Sequence, residues 1–162
     1  MAGISSGEQN LEWKIISMNE EMFETLGLDA EAWTLHARGL YMSGMCLVMP
    51  VEKEMRILLE EGQGSSDHYV EAGNNFVGYC LSSGLLFGLA IENAYKTRKI
   101  IEGKITIKEG KLVGLRHDHD ISKMVQEFNI ELGPEEQMAV DSITCVVRDL
   151  GKYPVAKSAK ER

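Results

Sequence analysis

The sequence is short of the residues that bend or cross-link a chain. It has three prolines and three cysteines in 162 residues. With proline confined to Pro50, Pro134 and Pro154, long stretches are free to run as unbroken helix. Cys46, Cys80 and Cys145 are far apart, odd in number and without a second cysteine at ligand spacing. That pattern excludes a disulfide framework and a cysteine-rich zinc module. Each cysteine sits inside an apolar helical pattern, so the expectation is three buried free thiols in a reducing, intracellular compartment. Long hydrophobic runs are missing too. The stretches 41–51 and 77–91 are interrupted by Gly, Ser or Asn, short of the roughly 18 clean apolar residues of a membrane span. Residues 1–7 show neither a basic n-region nor an apolar h-region, so no signal peptide is expected. These absences together predict a cytoplasmic chain with no membrane partner. There is also no Gly-rich phosphate loop, nucleophile elbow or paired-carboxylate motif, and residue chemistry alone nominates no reaction.

What is present is the composition of a folded domain. Hydrophobic residues make up 44% and charged residues 26%, which argues against disorder. The length suits one domain with one core, and no internal repeat marks a second. Residues 1–7 and 157–162 are expected to be disordered ends of that single domain, 1–162. The net charge is −8, which by itself argues against general nucleic-acid binding. The charge is unevenly placed, however. Lys96, Arg98, Lys99, Lys104, Lys108, Lys111 and Arg116 face only Glu102 and Glu109 within 96–116. Lys152, Lys157, Lys160 and Arg162 face only Glu161 within 151–162. Two basic segments on an acidic body can form one electropositive pole if the fold joins them; a solvated hairpin and a cationic tail is the plainer reading.

The apolar spacing is helical almost throughout. Leu11, Ile15, Met18, Met22 and Leu26 predict an amphipathic helix over about 9–26, ended by Gly27. Asp29 is placed to cap a long second helix reaching about Glu61, kinked or locally broken at Pro50. Residues 62–66 read as a flexible connector. Ser66 or Asp67 then opens a third helix reaching about Ile101, with Phe76, Leu81, Leu85, Leu89 and Ile100 as its apolar positions. Gly84 and Gly88 in it, like Gly44 in the second helix, predict close helix–helix approach. Residues 104–113 place β-branched residues around Glu109-Gly110 and predict a short hairpin or extended loop. A fourth helix follows Asp120, with Ile121, Met124, Val125 and Phe128 on one face. Gly133-Pro134-Glu135-Glu136 opens the last helix, whose stripe is Ile143, Val146, Val147 and Leu150. The fold class is therefore all-α: an antiparallel helical bundle of four to five helices with a short insertion near 104–113.

Three sets of residues can carry chemistry. The densest is Arg116-His117-Asp118-His119-Asp120. Imidazole and carboxylate bind transition metals, but neighbours at i and i+2 point apart and no companion ligands accompany them, so no metal and no cofactor are expected. The plainer role is a cap, with Asp118 or Asp120 receiving the first amides of the fourth helix. The second set is Glu92 with Lys96, an i,i+4 pair beside an apolar stripe, either a surface pair or a partly buried one. The third is Arg148, on the polar side of the last helix, where a cation also suits the helix dipole.

At this point three motifs converge. Gly84-Leu85-Leu86-Phe87-Gly88-Leu89-Ala90-Ile91-Glu92-Asn93-Ala94-Tyr95-Lys96, then His119-Asp120-Ile121, then Gly151-Lys152-Tyr153-Pro154 resemble the HEPN family, the higher-eukaryote and prokaryote nucleotide-binding domain. The resemblance spans about residues 74–156. It implies an antiparallel helical bundle, commonly dimeric, that is either a ribonuclease of toxin–antitoxin or phage-defence systems or a non-catalytic RNA- or nucleotide-associated module. Active members carry an Arg, then four to six intervening residues, then His. Here Arg148 is followed by Asp149-Leu150-Gly151-Lys152-Tyr153-Pro154-Val155, and no His occurs after His119. The expectation is thus a homodimeric, non-catalytic module that binds RNA, a nucleotide or a partner protein such as a cognate antitoxin. Its basic pole would be Lys96, Arg98, Lys99, Arg116, Arg148 and Lys152. A divergent ribonuclease would instead use Arg148 with His119, His117 and Glu92. A purely structural or interaction bundle is the third reading.

Overall fold

The computed structural model describes residues 25–60, 67–109, 111–115 and 119–150. Most of the helix expected over 9–26, the connector 62–66, the expected disordered ends, Arg116, His117, Asp118 and Lys152 lie outside the described residues. Among the described residues, after the helical residues 25–27, four helices and a hairpin follow in order: α1 (Ala30–Glu60), α2 (Asp67–Ile101), β1 (Thr106–Lys108), β2 (Lys111–Val113), α3 (Ile121–Glu127) and α4 (Pro134–Leu150). The all-α reading holds, with the strands confined to the short insertion.

Local chemistry sets most of the helix boundaries. The Asp29 carboxylate accepts from the amides of Glu31 (2.9 Å) and Ala32 (3.2 Å) and so caps α1 as expected. The Trp33 indole donates to the Gly27 carbonyl at 3.0 Å, tying the entry turn to the first turn of the helix. Pro50 does not break α1, which runs unbroken through it. The intrahelical bond that Pro50 cannot donate would go to the carbonyl of Cys46, an exposed residue beside solvent. Asp120 caps α3 by accepting from the Lys123 amide at 3.0 Å. Pro134 takes the first position of α4, and Glu136 accepts from the Gly133 amide at 2.8 Å to close its first turn.

α1 and α2 form a long antiparallel pair. Gly44 lies against Phe87, and Gly73 against Leu58, so rising numbers on one helix meet falling numbers on the other. Tyr41 and Phe87 pack with ring centroids 5.8 Å apart. The hairpin pairs Thr106 with Val113 and Lys108 with Lys111, and Ile107 and Leu112 rest on Gly27. Gly114, at φ +108°, leaves the hairpin where a Cβ would stand 2.1 Å from the Lys104 carbonyl oxygen, so only glycine fits there.

The core sits at one end of this hairpin of helices. Tyr95, Ile121, Met124, Val125 and Val147 are buried together, with Leu85, Ile91, Phe128, Val140 and Ile143 packed on them. Gly88 is what lets α4 in, because a Cβ there would lie 2.0 Å from Val147 Cγ2 and 2.9 Å from Ile143 Cγ2. The close approach expected from the glycines is therefore present.

Burial departs from the sequence reading in three places. Cys46 and Cys145 are exposed and Cys80 is half-buried; all three are free. They lie in apolar helical patterns, but on sides that the described chain leaves uncovered. Leu81, expected on the inward stripe of α2, is 40% exposed, because α3 and α4 cover only the C-terminal part of that helix. α2 is also long and apolar enough by composition to cross a membrane, although its stretch 77–91 is interrupted by Gly and Ser.

Candidate functional site

The polar centre of the molecule is built on Glu92. Its side chain is 8% exposed, in the middle of the apolar part of α2. Lys96, one turn along, reaches its Oε1 at 2.6 Å, and His119 Nδ1 stands 2.8 Å from its Oε2. The Lys96 ammonium also lies over the Trp33 ring, 4.9 Å from its centroid. Burial pushes the Glu92 carboxyl up. The hydrogen bonds and charges of Lys96 and His119 outweigh it and hold the group below the ordinary range. Of the two readings of the Glu92–Lys96 pair, the structure has the partly buried one.

His119 reaches Glu92 through backbone chemistry. Its φ is +58°, in the left-handed region that few L-residues occupy, immediately before the capping Asp120. That turn swings the imidazole back toward α2 while the Asp120 side chain faces α3. About a third of the His119 side chain remains exposed. Asp120 is thus the cap and His119 the ligand of Glu92, a division of labour that the spacing alone left open.

Among the described residues, three of the expected pole cations are paired with acids. Lys99 is 3% exposed and its ammonium is bound to Glu127 Oε1, while the Tyr95 hydroxyl donates to Glu127 Oε2 at 2.7 Å. Its charge is spent inside the fold, which rules it out as an accessible phosphate ligand. Arg98 pairs with Glu102 at 3.0 Å and lies over the Phe128 ring at 4.3 Å. Lys96 is neutralised by Glu92. The Lys99–Glu127 pairing was not legible in the sequence, since Glu127 stands 28 positions from Lys99 and no short motif links them.

The direction of α4 matters as much. His119 lies level with Glu92, and Glu127 with Lys99, so α3 runs alongside α2 in the same sense. The Ser122 amide donates to Thr144 Oγ1 and its hydroxyl to Asp141 Oδ1, whereas Val147 reaches Gly88. α4 therefore runs opposite to α2, and its end lies near the middle of α2 rather than near Arg98. Arg148 is exposed, four residues beyond Thr144 on the same face of α4. Because Thr144 meets Ser122, that face leads toward His119. Of the catalytic candidates, Glu92 and His119 are in contact; Arg148 stands one turn beyond Thr144, which meets Ser122 at the start of α3; His117 is outside the described residues.

No three His, Cys, Asp or Glu side chains gather in ligand geometry among the described residues. An open groove of about 410 Å³ lies between α1, α2 and α4, lined by Val48, Val51, Leu81, Phe87, Ile143 and Val146 among others. Its walls are almost wholly apolar and it contains none of the candidate residues. Comparisons of the chain with protein-family models, with curated proteins and with solved structures returned no match.

Proposed function

We propose that the chain is a non-catalytic HEPN-like module that binds the phosphate of RNA or of a nucleotide beside His119. One observation carries this: an imidazole held by a buried carboxylate and partly open to solvent, just before the start of α3, where α4 meets it through Thr144, one turn short of Arg148. An anchored imidazole and a guanidinium are a natural pair of phosphate donors. Arg116 and Lys152, next to these elements in sequence, remain candidate contributors. Lys99 does not, since its ammonium is buried against Glu127, and Lys96 and Arg98 are each paired with an acid one turn away. The absence of a His after Arg148 supports a module without catalysis. The net charge of −8 keeps the affinity modest.

A second reading, a divergent ribonuclease, rests on the same 2.8 Å contact. A carboxylate on one ring nitrogen is the arrangement that orients an imidazole for proton transfer. Titration of a labelled single-stranded RNA, and separately of ATP, at low and at physiological salt tests both. The expected result is weak binding that fades as salt rises, because neutralised phosphates release counterions. Arg148→Glu and His119→Ala should each weaken it by about tenfold, a charge-assisted hydrogen bond's worth, with the RNA intact. Binding indifferent to both substitutions would overturn the proposal. RNA cleavage abolished by His119→Ala would replace it with the nuclease.

A further inference from the structure

α1 has two faces. One packs on α2 through Gly44. The other, about 130° round the helix at 3.6 residues per turn, bears a regular series of exposed side chains. Leu35, Met42 and Met49 recur every seven residues; Arg38, Met45 and Glu52 form a second row every seven, offset by three. These are the two seam rows of a heptad, confined to an arc of about 100°. The apolar members are uncovered: Leu35 is 60% exposed, Met42 54%, Met45 42% and Met49 77%. Arg38 and Glu52 are exposed as well, and neither has an ion-pair partner among the described residues. A solvated helix face does not need a methionine or leucine at four of six seam positions. α1 lies outside the stretch that resembles HEPN, so the resemblance does not account for this face.

The charges name the occupant. Arg38 precedes Met45 by seven residues and Glu52 follows it by seven. The face is therefore basic at one end, acidic at the other and apolar between. Such a face is complementary to itself when reversed, as an isologous twofold interface requires. We infer that α1 pairs antiparallel with α1 of a second copy of this chain, with Met45 at the twofold axis. In that register Met45 meets the partner's Met45, Met42 meets the partner's Met49, and Arg38 meets the partner's Glu52. The two symmetry-related ion pairs bracket three layers of methionine. A parallel pairing would set Arg38 against the partner's Arg38 and Glu52 against the partner's Glu52, and like charges at a seam exclude it.

Charge exchange tests the register directly. By sedimentation at micromolar concentration the chain should have twice its 18.1 kDa mass. Arg38→Glu alone, or Glu52→Arg alone, places like charges at both ends and should raise the dimer dissociation constant by roughly ten- to a hundredfold. Mixed together, these two variants should form a mixed dimer, because each carries the charges that the other's face needs. Met45→Glu should be monomeric, and all three should keep the helical circular dichroism of the parent, since these positions are exposed. A parent chain that is monomeric, single-charge variants that dimerise as the parent does, or a mixture that stays monomeric would each overturn the inference. Partition of a monomeric parent onto phosphatidylcholine vesicles, lost in Met45→Glu, would likewise overturn it in favour of a lipid surface.

Discussion

At the scale of single residues, Glu92 is the group on which most depends. Its ionised form is held by Lys96 and His119 in a site that burial would otherwise turn toward the neutral acid. Because its folded pKa lies below the unfolded one, it contributes stability above roughly pH 4.3, the ordinary glutamate value. That contribution is lost as pH falls through the lowered folded value. Glu92→Gln should therefore cost about 2–4 kcal/mol at pH 7, where it strands Lys96 in a half-buried position. The difference between parent and variant in urea unfolding should shrink steadily from pH 4 toward pH 2. A gap independent of pH would mean that packing, not charge, is what the substitution removes. Lys99 and Glu127 form a second ion pair, in which the Lys99 ammonium is buried beside the Tyr95 and Phe128 rings while Glu127 stays partly open to solvent.

At the scale of elements, the informative comparison is between two glycines of α2. Both cost helix propensity, about 1 kcal/mol each relative to alanine. A Cβ at Gly78 meets nothing within 4 Å, whereas one at Gly88 would collide with Val147 and Ile143. Gly78→Ala should stabilise the protein by about 0.5–1 kcal/mol. Gly88→Ala should destabilise it by about 2–3 kcal/mol, overpacking outweighing propensity. Equal effects in thermal unfolding would show that α4 does not seat against α2 as described. Helix ends, by contrast, follow rules that act within four residues. Asp29, Asp120, Gly133 and Pro134 take the capping and first-turn roles that their order in the chain predicts.

At the scale of the whole molecule, stability is concentrated at one end. The buried cluster gathers the C-terminal part of α2 with α3 and α4, while the far ends of α1 and α2 carry exposed Met55, Leu59 and Val70. Native-state hydrogen exchange should accordingly be slowest for the amides of residues 88–99 and 143–147. Residues 55–60 and 67–71 should exchange far sooner, through local opening that leaves the core intact. Uniform protection along α1 and α2 would contradict a core placed at one end.

The all-helical class, the extent of α2 and the hairpin at 104–113 were legible in the sequence because each rests on local rules, the period of apolar residues and the run of β-branched ones; the cap of α3 was legible only as Asp118 or Asp120. The unbroken passage of α1 through Pro50 was not, since what happens to the unpaired Cys46 carbonyl depends on which side of the helix faces water. The candidate site was half legible. Glu92, His119 and Arg148 stand out by type and position, but whether His119 turns toward α2 depends on a left-handed backbone turn that spacing does not reveal. The fate of Lys99 was decided by tertiary structure alone. Seven basic residues within 96–116 read as a patch along the chain, yet Lys99 meets Glu127 once the helices pack, beside the local i,i+4 pairs of Lys96 and Arg98. A charge in sequence has only neighbours within a turn or two; its net effect on a surface depends on partners that only folding brings within a few ångströms.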